Sequence, residues 1–202
     1  SMIYSIFRLG ADINKSIIKL ISVILTILFV LTCGYVPYAV NCWFGNVADH
    51  SGYAGLNATA FLETYFPEDA QAIRWLNENV SGNPVVLEAD GDSYTDWDRV
   101  SAMTGLPTIE GWFVHEWLWR NDPQDLALKS EEIRTIYTSS DIDKVREKVK
   151  EYEVEYIFVG RCERDLYADL NEDNLKQLGK VVFAGDMGEI PAYIIQVDTD
   201  SL

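Results

Sequence analysis

The chain has 202 residues, of which 48% are hydrophobic and 12% aromatic. This length and composition fit one folded domain with a substantial core and argue against a disordered chain. A formal net charge of −16 excludes a general affinity for nucleic acid, whose phosphates such a surface would repel.

The charge is distributed unevenly along the chain. Residues 1–40 carry Arg8, Lys15 and Lys19 against Asp12, a net charge of +2, whereas the remainder holds 13 basic and 31 acidic residues, a net charge of −18. The two parts are therefore expected to face different surroundings. Three cysteines, an odd number, imply no disulfide framework.

A long apolar run lies in the basic part. Residues 20–48 contain no charged side chain, and the 21 residues from 20 to 40 are enough to cross a hydrocarbon core of about 30 Å. Tyr35, Tyr38 and Trp43 cluster at its end, where amphipathic rings favour the membrane interface. The run predicts a transmembrane helix over residues 16–44.

Lys15 and Lys19 flank the other end of this run, and the positive-inside rule places that end in the cytoplasm. The expected organisation is a cytoplasmic segment (1–15), a single span, a connecting loop (45–66) and an extracytoplasmic domain (67–202) in the cell membrane. Three alternatives remain open at this point: a cleaved signal peptide, a lipoprotein site at Cys33, and a buried soluble helix. Tyr35, Pro37 and Tyr38 fit a signal-peptide cleavage site poorly.

The soluble part begins with a predicted helix over residues 67–82, in which Pro67 suits the first turn and Ile73, Leu76 and Val80 form the buried stripe. A short buried strand, residues 84–89, follows it.

Further elements alternate along the rest of the chain. Residues 139–154 predict a helix with Ser140 as its cap, followed by a strand (154–160), a helix (163–179) and two strands (180–185 and 191–197) around a turn at 186–190. This alternation predicts an α/β domain with a mostly parallel sheet and a C-terminal hairpin, preceded by the single transmembrane helix.

Two metal motifs fail on spacing. The zinc-peptidase helix needs histidines four residues apart, but Trp119 stands four residues after His115, and His50 is the other histidine of the chain. Residues 90–98 (DGDSYTDWD) are rich in acids, but Thr95 and Ser101 stand where a helix–loop–helix calcium loop requires glycine and glutamate. We therefore predict no metal and no cofactor, and a looser cation site in this loop stays an alternative to a solvated acidic loop.

Aromatic and charged side chains are concentrated between residues 94 and 120. Indole rings beside guanidinium groups suit sugar rings and phosphates, but they equally suit a buried polar network. The cluster consists of Tyr94, Trp97, Arg99, Trp112, His115, Glu116, Trp117, Trp119 and Arg120.

The same region carries a family resemblance. The run from residue 55 to residue 120, with its WLN, VVLEA, RVSA, GLPT and GW-HEW-WR elements, and the later YEVEYIFVGRCER resemble the C-terminal region of the YYY-type prokaryotic multi-pass membrane proteins. The resemblance covers roughly residues 30 to 197. That uncharacterised family looks related to membrane glycosyltransferases that use lipid-phosphate-linked sugars.

The resemblance implies an extracytoplasmic C-terminal domain that assists lipid-linked sugar or acceptor binding. The catalytic acids of such transferases lie in an early outside loop with no counterpart in this chain, so no complete active site is expected, and the chain is expected to be a fragment or a truncated relative. Its implied partners are membrane lipid, a polyprenyl-phosphate sugar and the missing membrane segments. The alternative is a non-enzymatic membrane-anchored surface or assembly module.

Seven residues are the candidate substrate-binding set, and no catalytic residue is assigned. Residues 109–120 are expected to form a loop or strand leading into a loop or helix beside residues 90–99, with Trp112 and Trp117 largely buried. Two guanidinium groups near two carboxylates require a hydrogen-bonded network, so the charged members and His115 are expected to converge on one membrane-facing polar pocket. The set is Glu88, Tyr94, Arg99, His115, Glu116, Trp119 and Arg120.

Overall fold

The computed structural model describes residues 15–46, 48–49, 57, 59–187 and 191–202. The chain divides into two compact units, residues 1–55 and residues 56–202. Residues 1–14, residues 47, 50–56 (which include His50) and 58 of the predicted connecting loop, and the end of the predicted turn at 186–190 lie outside the described residues.

The first unit contains one long apolar helix, α1 (Lys15–Phe44), of 30 residues. Its most apolar segment has a mean hydropathy of 2.5, and none of that segment is buried in the structure. At about 1.5 Å per residue the helix measures about 45 Å, more than a bilayer core requires. The hydroxyls of Thr26 and Thr32 donate to carbonyls one turn earlier, which satisfies them within the helix. Helix α1 is therefore long and apolar enough to span a membrane.

The second unit is an α/β domain. Its strands are β1 (Val85–Leu87), β2 (Val154–Val159), β3 (Gly179–Ala184) and β4 (Tyr193–Val197). Its helices are α2 (Ala60–Tyr65), α3 (Pro67–Asn79), α4 (Arg99–Thr104), α5 (Phe113–Arg120), α6 (Pro123–Thr138), α7 (Ile142–Glu151), α8 (Arg161–Leu166) and α9 (Glu172–Leu175), with a 3-10 turn at Thr199–Ser201.

The sheet has the strand order β1-β2-β4-β3 and is mixed. Strands β1 and β2 are parallel, whereas β4 runs antiparallel to both β2 and β3. The predicted C-terminal hairpin is present, but the expectation of a mostly parallel sheet is wrong. Only β1 and β2 are parallel, because the hairpin joins the sheet through β4, which runs antiparallel to β2. Strand β4, whose Ile194 and Ile195 are fully buried, takes the central position, and the more exposed β3 becomes the edge.

Different helices cover the two faces of this sheet. On β2, the side chain of Phe158 joins one core with Ile73 of α3, and that of Ile157 joins the other core with Ile133 of α6 and Val149 of α7. The alternation follows from the two-residue period of a strand. Helices α3 and α4 thus pack on one face and helices α6 and α7 on the other.

Several boundaries differ from the predicted ones. Asp141, not Ser140, caps α7, because its carboxylate accepts from the amides of Asp143 and Lys144. The helix predicted over 163–179 is divided into α8 and α9. Helix α2 lies within the predicted connecting loop, and α6, which the sequence analysis did not predict, is the longest helix described in this unit.

Neither edge of the sheet presents a regular, open strand. Outside β1, the amide of Val86 donates to the carbonyl of Pro107 at 2.9 Å, so a loop segment covers that edge. On the other edge, β3 carries a register shift between Val181 and Phe183, and Lys180 precedes it. These features leave little regular exposed edge.

Candidate functional site

The candidate site lies where the parallel strands β1 and β2 end. In open α/β sheets, ligands bind outside the carboxyl ends of the parallel strands. Here the loop of residues 88–98 follows β1, and Gly160 follows β2 and leads directly into α8. The sequence-predicted residues Glu88 and Tyr94 belong to the first of these connections, and Arg99 follows it as the first residue of α4.

A buried ion pair joins α3 to the start of α4. Arg99 donates from Nε to Asp69 Oδ2 at 2.7 Å, and its Nη2 also pairs with that oxygen. The Nη1 atom donates to the carbonyl of Asp96 at 2.8 Å and to Cys162 Sγ at 3.0 Å, and the guanidinium lies 4.1 Å from the ring centroid of Phe66. Burial acts to lower the pKa of Arg99, but the Asp69 carboxylate outweighs it and raises that pKa above its ordinary value. Arg99 is thus fully engaged in structure.

Gly160 makes this pair sterically possible. A Cβ at this position would lie 2.6 Å from Asp69 Oδ1 and 2.7 Å from the ring of Phe158. Asp69 therefore reaches Arg99 across the end of β2 because residue 160 has no side chain.

Two buried glutamates tie the backbone together at the same edge. Glu88 accepts from the amides of Val100 and Ser101, at 2.8 and 2.7 Å, and so caps the first turn of α4. Glu163 accepts from the amides of Ala89 and Gly160, at 2.9 and 2.8 Å, and so joins the ends of β1 and β2. Burial raises the pKa of both carboxyls, that of Glu163 to about 7. The contacts of Glu88 therefore hold the start of α4 in place, which is a structural role.

A cleft of about 330 Å³ opens beside the ion pair. Its lining residues are Phe66, Thr95, Asp96, Trp97, Arg99, Arg161, Cys162 and Asp165. Burial raises the pKa of the Cys162 thiol to about 12, so it stays protonated at neutral pH and is a poor nucleophile. The lining of this cleft therefore offers no activated cysteine nucleophile.

Carboxyl groups crowd the inner side of the 90–98 loop. Asp98 is 6% exposed, and among the described residues neither of its carboxylate oxygens has a hydrogen-bond partner. Burial, together with the carboxylates of Glu88, Asp90, Glu110 and Glu116, raises the pKa of Asp98 to about 9. Asp98 is therefore neutral at pH 7, which removes most of the cost of burying it.

Asp90 and Glu110 share a partner on α6. Ser130 Oγ lies 2.6 Å from Asp90 Oδ2 and 3.2 Å from Glu110 Oε2, and the hydroxyl of Tyr167 donates to Asp90 Oδ1 at 3.3 Å. Burial, followed by the charge of Asp90, raises the pKa of Glu110 to about 7. Within the part of the chain that the structure describes, no three histidine, cysteine or acidic side chains are arranged to hold a metal ion.

Three rings form an aromatic platform at the start of α5, which we define as Tyr94, Trp112 and His115. Their centroids are 5.6 Å apart for Tyr94 and Trp112, 4.8 Å for Tyr94 and His115, and 5.2 Å for Trp112 and His115. The Trp112 indole donates to the carbonyl of Trp97 at 3.0 Å, and the His115 amide donates to Ser93 Oγ at 3.2 Å. Tyr94 is 83% exposed, so its ring is open to solvent.

Glu116 and Arg120 pair beside this platform. Arg120 Nε lies 2.8 Å from Glu116 Oε2, one helical turn away, while Glu116 Oε1 accepts from the amide of Gly111 at 2.8 Å. Arg120 is 57% exposed and can present its remaining donors to solvent or ligand.

The structure brings part of the predicted set together. Tyr94 and His115 lie in the platform and Glu116 and Arg120 form the adjacent pair, whereas Arg99 pairs with Asp69. The predicted convergence of all five polar residues on one pocket is therefore wrong for Arg99, because Asp69 of α3 neutralises it.

The opening part of the 109–120 segment was predicted correctly. It is a loop leading into α5, and the amide of Phe113, the first residue of α5, donates to the carbonyl of Gly91 at 3.2 Å. The predicted burial is wrong for Trp117, which is 41% exposed, and Trp112 is half-buried. Trp119 is 88% exposed at the end of α5.

Sequence reasoning missed Asp69, Glu110, Cys162 and Glu163. By its position in the first turn of α3, Asp69 is an acid that simply complements the helix dipole, whereas its buried partner Arg99 is 30 residues away. A hydrophobic neighbourhood around an acid, as around Glu110 in TIEGW (108–112), was the available signal for a buried carboxyl.

Comparison with protein-family models finds no model that matches this chain. A search of curated proteins finds no matching relative either.

Proposed function

We propose that the chain is a membrane-anchored, extracytoplasmic domain of a glycosyltransferase-like membrane protein. In this proposal α1 is the anchor, with Lys15 and Lys19 at its cytoplasmic end. The domain binds the sugar of a lipid-linked donor or of an acceptor, and it supplies binding rather than a complete active site. The apolar length of α1 and the resemblance of residues 55–120 support this proposal.

The single observation that carries the binding role is the aromatic platform. Flat rings stack against the apolar faces of sugars, and ionised side chains beside them bond to sugar hydroxyls. Tyr94 offers an exposed ring, and Glu116 and Arg120 stand next to His115 on the same helix. Together they combine a stacking surface with both acceptors and donors.

The surroundings favour a sugar over a bare phosphate. The carboxylates of Asp90, Glu110 and Glu116 all act on Asp98, so the inner side of the loop is rich in negative charge. A phosphate without a counter-ion would be repelled there. Sugar hydroxyls, by contrast, donate readily to carboxylates, and we assign the phosphate of a lipid-linked sugar to other segments of the membrane protein.

The test uses the full chain in phospholipid nanodiscs, with free monosaccharides and disaccharides and a polyprenyl-phosphate-linked monosaccharide as probes. The variant Tyr94→Asn removes the ring, and asparagine tolerates the left-handed backbone at this position, where φ is 61°. Tyr65→Asn is the matched control, because Tyr65 is also an exposed tyrosine, on α2.

We expect Tyr94→Asn to weaken sugar binding on the order of three- to tenfold, the equivalent of about 0.5–1.5 kcal/mol for one aromatic contact. Tyr65→Asn should bind as the parent does. Unchanged binding by Tyr94→Asn, or an equal loss in both variants, would contradict the platform. If none of the probes binds, the proposal fails and an assembly module becomes the better interpretation.

A further inference from the structure

The C-terminal half of α5 exposes three consecutive apolar side chains. Trp117 is 41%, Leu118 is 68% and Trp119 is 88% exposed, and we call residues 117–119 the apolar tip. Consecutive residues of a helix point about 100° apart, so these side chains surround the helix end instead of forming one core-facing stripe. Asn121, in the left-handed conformation, ends the helix directly afterwards.

Such a tip is not an ordinary surface feature. A single exposed apolar residue needs no explanation, but contiguous exposed apolar area on a soluble domain marks an interaction surface. The tip also differs from the aromatic platform, because its side chains lie beyond the ring cluster of Tyr94, Trp112 and His115 on α5.

We propose that the apolar tip inserts into the headgroup–acyl boundary of the bilayer that α1 spans. This inference rests on the proposed anchoring of the chain by α1. It adds a second, reversible membrane contact made by the extracytoplasmic domain itself.

The short segment between α1 and the second unit supports the bilayer as the partner of the apolar tip. Residues 45–55 separate the end of α1 from the second unit. Fully extended, these residues reach about 36 Å. A domain held this close meets the membrane surface at a far higher effective concentration than any partner in solution.

The residue types also fit the membrane interface. Tryptophan concentrates at the level of the lipid headgroups, and leucine adds apolar area that reaches the acyl chains. Arg120 follows the tip and can extend its guanidinium towards lipid phosphate while its stem stays in apolar surroundings.

The charge of the chain predicts how insertion should respond to salt. The soluble part is strongly acidic, and Asp122 caps the next helix close to the tip. Electrostatic attraction to anionic lipid therefore cannot be the main contribution to membrane insertion of the tip. Insertion should proceed in uncharged phosphatidylcholine vesicles and should be insensitive to salt, as expected for apolar burial.

Insertion would place the aromatic platform near the headgroup layer, since Trp112 and His115 lie at the start of the same short helix. That is the height at which the sugar of a membrane-embedded carrier lipid is found. The apolar tip would then contact lipid while the aromatic platform, on the same helix, binds the sugar.

The experiment uses spin-labelled full-length chain in phosphatidylcholine vesicles. In a background with Cys33, Cys42 and Cys162 replaced by serine, a label is attached at Leu118→Cys or at the control position Glu147→Cys on the charged face of α7. A third sample retains Cys33, within α1. Collision rates with oxygen, which concentrates in lipid, and with a water-soluble nickel chelate are measured at each position.

We expect oxygen collisions to exceed nickel collisions at positions 33 and 118, and the reverse at position 147, at low and high salt alike. A label in water at position 33 would contradict the anchoring, and hence the proposed function. Lipid exposure at position 33 with water exposure at position 118 would overturn the insertion of the tip alone. Dipolar broadening at position 118 that disappears on dilution with unlabelled chain would identify a second copy as the occupant, and would also overturn it.

Discussion

The buried carboxyl of Asp98 makes the stability of the domain depend on pH in a way that one substitution removes. Its folded pKa of about 9 lies above the ordinary value of 3.8. The folded state therefore binds this proton more tightly than the unfolded state does, and the stabilisation is fully present below about pH 4. It is lost progressively as the pH rises towards 9.

The magnitude follows from the linkage relation. Within that window, each pH unit removes about 1.4 kcal/mol of unfolding free energy through this one group. Asp98→Asn replaces the neutral carboxyl by a neutral amide, and asparagine accepts the left-handed backbone here, where φ is 58°. The free-energy difference between variant and parent should therefore shift in favour of the variant by up to about 4 kcal/mol between pH 5 and pH 8.

Urea unfolding of the full chain in mild detergent, followed by tryptophan fluorescence at pH 5, 6, 7 and 8, measures this difference. Asp96→Asn is the matched control, because Asp96 is an exposed acid two residues away in the same loop. If the difference in unfolding free energy between Asp98→Asn and the parent were constant over this pH range, the reasoning would be refuted. An equal pH-dependent change in the Asp96→Asn control would refute it as well.

Three further predictions concern the ion pairs and the topology. Arg99→Ala should lower the free energy of unfolding by about 3–5 kcal/mol in urea, because it leaves the buried Asp69 carboxylate unpaired. Replacing Asp69 and Arg99 together by apolar residues should cost clearly less. Equal losses in the two variants would contradict a buried pair. Arg120→Ala should cost less than about 1 kcal/mol, since the Arg120 side chain is 57% exposed and Glu116 keeps its hydrogen bond from the Gly111 amide. A loss as large as that of Arg99→Ala would show a structural role for Arg120. A cysteine at Glu147 should react with an impermeant maleimide in intact cells, and reaction only after lysis would reverse the proposed orientation.

Local sequence patterns predicted the elements whose stabilising residues are close together. Helix α3 has its proline and first-turn acids, α7 has a regular apolar stripe, and the strands are short apolar runs. Helix α6 was missed because its buried face is interrupted: between Leu126 and Ile133 the inward side carries Ser130, whose hydroxyl contacts carboxylates 20 and 40 residues away. A polar residue with a distant partner breaks the periodicity on which helix prediction depends.

The candidate site was predictable in composition but not in pairing. The sequence places aromatic and charged residues at 94–120, and the structure forms the platform and the Glu116–Arg120 pair from them. Local sequence does not state that Arg99 pairs with Asp69, or that Glu88 caps α4, because these contacts depend on how α3 and β1 come together. Strand order has the same origin, since the burial of β4 decides it.

The covered edges of the sheet affect how this domain behaves while it is folding. A newly made chain folds near other unfolded chains, and an open strand edge would recruit one of them into intermolecular pairing. At the β1 edge the amide of Val86 already donates to the carbonyl of Pro107. At the β3 edge the shifted register near Val181 prevents a continuous ladder of hydrogen bonds to another strand. A rise in fibril formation or inclusion-body content when the 105–108 segment is shortened would reveal this safeguard against misassembly.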